Sequence, residues 1–378
     1  MDKVKTSIQK LLAYIESEAY MGYDPYDALD SPLFQSVLFK PKYFRFGIQQ
    51  FVKRVPINLR PLLKIKKGYN PVTLGLCIQA YSGLLLVFPS QKSHFENKII
   101  SLISELKRLI SHGFHGACWG YDFYWQARYA EIPAYQPNVV ATGIIANSLY
   151  FCYKVTGNID ASALCISAAD FVLQDLKRSY DGSSFCFSYS PYDKQQVYNA
   201  SAKGVRVISH AYALTRDESL KTVASDAVKY ILKRQQPDGS WNYSEVGRWV
   251  DSYHTGYILD CLHEYIDCTD DTSISDNLIK GIKYYRENFF SSEGIPKLFP
   301  KELYPIDCTS AGQALLTLSR FKDEAMAMNV AHWMIENMQA PEGFFYYRKY
   351  KIFTNHTSFM RWSNAWMIAG LSSLLLRE

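Results

Sequence analysis

Apolar residues recur along this chain in two kinds of helical stretch. The first kind is apolar on one face only. In 217–235 the residues Leu220, Val223, Ala227, Tyr230, Ile231 and Leu232 mark such a face, and comparable stretches span about 3–19, 94–112, 160–177, 273–290 and 322–338. The second kind is apolar on nearly all sides, which predicts helices buried within a core. These helices begin near Val72, Asn138, Asn199, Tyr253, Cys308 and Trp362, and the last five starts are spaced 61, 54, 55 and 54 residues apart. Strand patterns are nearly absent; the stretch YSPYDKQQVY (189–198) alone suggests a short hairpin.

Two helices per period of roughly 55 residues, repeated six times, predict an all-α protein: a closed α/α toroid of six helical hairpins and about twelve helices. An open solenoid has the same period, but no polar capping repeat stands at either end. A single domain over 1–378 is expected, with a long loop insertion at about 20–71. In such a ring every outer-to-inner loop lies on one face. Those loops are long and rich in Gly and aromatics: GFHGACWGYDFYW (113–125), YDGSSFCFSYSPY (180–192), PDGSWNYSEVGRW (237–249), SSEGIPKLFP (291–300) and PEGFFYYRKY (341–350). The loops on the other face (TGNID, TRD, DCTDD and RFKD) are short. Function is expected on the elaborated face.

Composition sharpens this expectation. Aromatic residues reach 15%, with 29 Tyr, a side chain suited to half-wet clefts. The net charge of +5 is mild and no nucleic-acid motif is present, so no nucleic-acid partner is expected. The basic run over 51–67 (Lys53, Arg54, Arg60, Lys64, Lys66, Lys67) has two readings: a solvated surface or a peripheral contact with an anionic membrane. Pro56 and Pro61 argue against one continuous helix there. The eight Cys are scattered without CxxC spacing, as buried free thiols are, and a cytoplasmic setting is expected. The apolar stretch 72–90 reads as a core helix, interrupted by Gln79, Tyr81 and Ser82.

Two resemblances appear on particular residues. Gln236-Pro237-Asp238-Gly239-Ser240-Trp241 resembles the Q-x-x-G-x-W signature of the terpenoid cyclase and protein prenyltransferase toroids. Asp251-Ser252-Tyr253-His254-Thr255 is similar to the D-x-Y-H-T stretch of prenyltransferase β subunits, where the His binds zinc. Asp307-Cys308-Thr309 resembles the D-C-T of oxidosqualene cyclases. Gly22-Tyr23-Asp24-Pro25-Tyr26-Asp27-Ala28-Leu29 and Pro56-Ile57-Asn58-Leu59-Arg60-Pro61-Leu62, together with Asp251–Gly256, resemble toroid proteins associated with bacterial polysaccharide biosynthesis. That group implies a carbohydrate role, with uronyl epimerases, lyases and hydrolases as neighbouring enzyme classes.

The chemistry favours a sugar. Zinc prenyl transfer needs an Asp-x-Cys pair upstream of the His, and His254 has none. Terpene cyclisation needs a D-x-D-D motif or an acidic end to D-C-T-A-E; the chain reads D-C-T-S-A. No metal and no cofactor are expected. The elaborated face offers aromatic platforms in Trp119, Tyr121, Trp125, Trp241, Tyr243 and Trp362, with Asp122 beside them and Arg128, Arg206 and Arg361 as cations. Candidate catalytic groups are Asp251, Tyr253, His254, Asp24 and Asp27. A hydrolase would pair two carboxylates; a uronic-acid lyase or epimerase would use His254 or Tyr253 as base and Arg206 or Arg361 against the carboxylate. Asp251 also sits where a helix cap belongs. The expected ligand is a glycan or an activated sugar. A non-catalytic protein that binds a glycan or lipid-linked sugar, and a terpenoid or prenyl enzyme, remain as alternatives.

Overall fold

The computed structural model describes residues 1–34, 41–126 and 131–376; Arg128 lies outside them. Thirteen α-helices are present among the described residues: α1 (Asp2–Ser17), α2 (Lys42–Arg54), α3 (Pro71–Val87), α4 (Lys92–Arg108), α5 (Val139–Thr156), α6 (Ile159–Gln174), α7 (Tyr198–Thr215), α8 (Glu218–Lys233), α9 (Ser252–Thr269), α10 (Ser275–Asn288), α11 (Cys308–Arg320), α12 (Glu324–Met338) and α13 (Trp366–Leu375). A π-helical turn, Met360–Ala365, leads into α13.

Packing closes the ring. α3 packs on α5, α5 on α7, α7 on α9, α9 on α11, α11 on α13, and α13 back on α3. The outer helices α4, α6, α8, α10 and α12 cover the inner ring, α6 packing on both α5 and α7, and α1 closes the outer layer against α12 and α13. The inner helices are buried nearly all round because they meet two inner neighbours and at least one outer helix. This is the all-α toroid that the periodicity predicts. One helix, α5, is long and apolar enough to cross a membrane, but it stands in the inner ring. All eight cysteines are buried and unpaired.

Local chemistry sets the helix boundaries. Asn70, Asn138, Asp251 and Asp307 cap α3, α5, α9 and α11, each accepting a hydrogen bond from a first-turn N–H. The short turns on the opposite face end α5, α7 and α9 on left-handed residues, Gly157, Arg216 and Asp270. On the elaborated face the loop turns repeat. Gln235 bridges Trp241, Phe290 bridges Pro296, and Gln339 bridges Phe345, each six residues on. A positive-φ glycine (Gly239, Gly294 or Gly343) stands inside each turn.

The turn at 235–241, which resembles the Q-x-x-G-x-W signature, works through Gln235 rather than Gln236. Gln235 Nε2 donates to the carbonyls of Gly239 and Asn277, and Gln339 does the same with Gly343 and Ser7. Gln236 merely donates to the Arg234 carbonyl at 3.3 Å.

Two expectations need correction. One hairpin lies at Arg178–Asp181 and Ser184–Phe187, around Gly182, and another at Tyr346–Lys349 and Thr354–Ser358; neither is at 189–198. The insertion at 20–71 is not all loop. It holds two 3₁₀ turns and α2, which ends at Arg54, where Val55 precedes Pro56.

Candidate active site

The inner helices open on the elaborated face around a cavity of about 260 Å³. Its wall is aromatic: Tyr26, Tyr121, Phe123, Trp125, Tyr189, Tyr243, Trp249, Tyr253, Tyr257, Trp362 and Trp366, with Val140, Ile144, Asn199, His254 and Arg361 between them. No carboxylate belongs to this lining. A second, outer cleft of about 620 Å³ shares Tyr26, Trp125, Tyr189, Tyr243 and Trp249 with the first, so the two run together.

Asp251 and His254 form the sharpest feature. One Asp251 oxygen accepts from the His254 backbone N–H at 3.0 Å and so caps α9. The other oxygen lies 2.7 Å from His254 Nδ1. Holding a proton on Nδ1 leaves Nε2 as the basic nitrogen, with no partner among the described residues. The ring sits between Tyr253 and Tyr243, at 4.1 and 4.7 Å between centroids. Tyr253 does line the cavity, but burial raises its phenol well above the usual tyrosine range. It therefore stays protonated, as a donor rather than a base.

Asp24 and Asp27 do not reach the cavity. Arg361 Nε and Nη2 donate to Asp24 at 2.6 and 2.9 Å. Arg60 donates to Asp27 at 2.7 Å and to the Asp24 carbonyl at 2.7 Å. Both carboxylates are buried and spent on these arginines, so they hold the YDPYD loop over the ring and place Tyr26 in the wall. Arg361 itself lines the cavity, its guanidinium lying over the rings of Tyr121, Phe123 and Trp362.

Other expected residues divide clearly. Tyr121, Trp125, Tyr243 and Trp362 line the cavity. Trp119 and Trp241 do not: each is buried and donates its indole N–H to an outer-helix carbonyl, of Leu106 and Ile231. Asp122 accepts from Asn70 Nδ2 at 2.5 Å, behind the start of α3, and burial pushes its carboxyl up to about 7. Arg206 lies deeper on the ring axis, donating to the Gly143 carbonyl among Lys203, Asp260, Gln313 and Arg320.

Several lining residues escaped the sequence reading. Tyr257 and Trp366 stand four residues after Tyr253 and Trp362, so helical spacing would have found them. Asn199, read only as a helix start, and the expected platform Trp125 each carry a buried N–H, Nδ2 and Nε1, without a partner among the described residues. Such groups suit sugar hydroxyls. Lys53 was read as a surface cation; it is buried, and its Nζ lies 2.5 Å from the Tyr26 hydroxyl. Burial pulls its amine well below the lysine range and pushes Tyr26 up to about 12.

Among the described residues a single trio has ligand atoms close enough to share a metal: His210, Glu264 and Cys268. It lies toward the opposite face. Arg320 Nη1 is 2.6 Å from Glu264, a poor setting for a cation, and His254 belongs to no such group.

No protein-family model matches the chain, and neither does any curated protein sequence. Solved structures do match. Cellobiose 2-epimerase from Bacillus thermoamylovorans aligns with a TM-score of 0.61 at 12% identity, over 83% of this chain and 90% of its own. The GH76 α-mannanase of Bacteroides thetaiotaomicron gives 0.59 at 12%, over 82% and 87%. Unsaturated glucuronyl hydrolase from Streptococcus agalactiae gives 0.60 at 13%, over 99% and 91%. The chain shares their α/α-toroid fold.

Proposed function

We propose that this protein is a carbohydrate-active enzyme that moves a proton at a sugar carbon, as an epimerase or a lyase does. His254 Nε2 is the base. The observation that carries this is the Asp251–His254 pair opening on an aromatic cavity whose lining holds no carboxylate. Hydrolysis by the usual route needs two carboxylates across the scissile bond. Here the nearby ones are bound: Asp24 to Arg361, and Asp307 to Arg348 and the α11 cap. The hydrolase reading is therefore the weaker one.

Removing a proton next to a carbonyl or carboxylate puts negative charge on oxygen. The Arg361 guanidinium, part of the wall, is the cation that would meet it. Protonated Tyr253 and the Tyr26–Lys53 couple can return a proton. The aromatic wall gives sugar rings their stacking faces. Fold neighbours that act on cellobiose and on unsaturated glucuronides support this substrate class. A place in polysaccharide biosynthesis rests on the resemblance carried by residues 22–29 and 56–62.

The test is solvent exchange. The protein is incubated in D₂O with reducing disaccharides and with uronate-containing oligosaccharides, and NMR follows the C–H signals. An epimerase exchanges the C–H for deuterium, and a lyase loses it to a new vinylic H4 signal; either change is expected, and His254→Gln should lower it by about 10²–10⁴. Hydrolysis without deuterium uptake would sink the reading. A second reading, a glycan-binding protein without turnover, draws on the unpartnered Asn199 and Trp125 donors. It predicts binding that His254→Gln leaves intact and no reaction with any sugar.

A further inference from the structure

Helix α2 crosses the mouth of the cleft and shows two different faces. Phe46, Gln49 and Gln50 line the outer cleft. Val52 and Lys53 are buried beneath the helix. Tyr43, Gly47, Phe51 and Arg54 fall on the side away from buried Val52, at helical spacing, and all four are exposed; Arg54 Nη1 donates to the neighbouring Gln50 Oε1 at 2.6 Å. Tyr43 is 87% exposed and Phe51 61%; beyond the helix, Ile57 is 67% and Leu62 76% exposed. Large side chains this open are seldom gathered in one short segment unless something covers them.

Charge says what covers them. From Ser31 to Phe95 the sequence contains no Asp and no Glu. Within that span Lys42, Arg54, Lys64 and Lys66 are exposed. The two most buried cations of the same run, Lys53 and Arg60, serve Tyr26 and Asp27, and Lys67 pairs with Glu18. What remains outside is aromatic and aliphatic side chains set among cations, in a stretch of chain that itself holds no acid. That is the composition of an interfacial segment on an anionic bilayer: apolar groups enter the headgroup boundary and cations meet lipid phosphate.

We propose that the outward face of α2, with Ile57, Leu62, Lys64 and Lys66 in the segment that follows, seats this protein on an anionic membrane surface. Because the other face of α2 lines the outer cleft, docking sets the cleft mouth beside the bilayer. A glycan carried on a lipid then reaches the cavity without leaving the membrane. Docking does not depend on His254 being a base, so either can fail alone.

Vesicle flotation of the full chain tests it. Binding to phosphatidylglycerol–phosphatidylcholine vesicles is expected, with little to phosphatidylcholine alone, and added salt should weaken it. Tyr43→Ser with Phe51→Ser and, separately, Lys64→Glu with Lys66→Glu should each lower binding about tenfold or more. These positions are exposed, and an unchanged thermal melt confirms the fold. The proposal is overturned by equal binding to both vesicle types, by no binding, or by variants that bind as well as the parent. It is also overturned if the parent sediments as a dimer that the Tyr43/Phe51 variant breaks, since a second copy would then cover the patch.

Discussion

Asp251 performs two tasks with its two oxygens, and substitutions can separate them. Asn caps a helix about as well as Asp, so Asp251→Asn should keep the start of α9 while losing the charged partner of His254 Nδ1. Its thermal midpoint should stay near that of the parent while its turnover falls steeply. Asp251→Ala loses both, and unfolding should show an added cost of about 1 kcal/mol. Equal destabilisation by both would mean that the carboxylate matters only to folding. Lys203 offers a pH test. It is buried over the Tyr257 ring, and burial, followed by Arg206, pulls its amine from 10.5 to about 7. Between those values the folded chain binds fewer protons than the unfolded one, so this contribution improves as pH rises and is lost as pH falls through about 7. Lys203→Met should flatten that part of the stability profile in denaturant titrations. An unchanged slope between pH 7 and 10 would refute the shift.

At the scale of elements, the turn glycines differ in what surrounds them. Gly343 has φ +105°, and a Cβ there would meet the Lys10 carbonyl of α1 at 2.3 Å. Gly182 has φ +63° with open space around it. Gly182→Ala should therefore cost about 1 kcal/mol and Gly343→Ala about 3, read from chemical denaturation. The helix starts were legible because small polar caps and apolar periods coincide there, as at Asn138 and Asp307. α2 was not legible. Its sequence KYFRFGIQQFVKR is amphipathic, but it stands outside the repeat of about 55 residues, between Pro41 and Pro56, in a stretch read as loop. Within the site, the Asp251–His254 pair and the wall residues Tyr121, Trp125, Tyr243, Arg361 and Trp362 could be picked out by residue type on the elaborated face. The inward or outward turn of each side chain could not. Trp119 and Trp241 look like Trp125 in sequence, yet they point at helix-end carbonyls. Asp24 and Asp27 look free, yet each has an arginine distant in the chain.

For the whole molecule, closure makes every inner helix depend on both neighbours, and α13 returns to α3. Unfolding should then be a single transition, with helical circular dichroism and tryptophan fluorescence falling together in guanidinium. Separate transitions would indicate that the repeats melt piecemeal, as in open arrays. The loop over the mouth adds a long-range tie, Asp24 to Arg361. Arg361→Met should leave Asp24 buried without its partner and admit proteases to 22–34 at concentrations that spare the parent.

That tie joins residue 24 to residue 361, and the cavity wall draws on Tyr26 at one end of the chain and Trp362 at the other. The pocket has no early, half-built form. Every other repeat can be synthesised before a single complete binding surface exists. A chain halted ahead of α13 is therefore not a slow version of the protein but one with no pocket at all, waiting to be finished or removed.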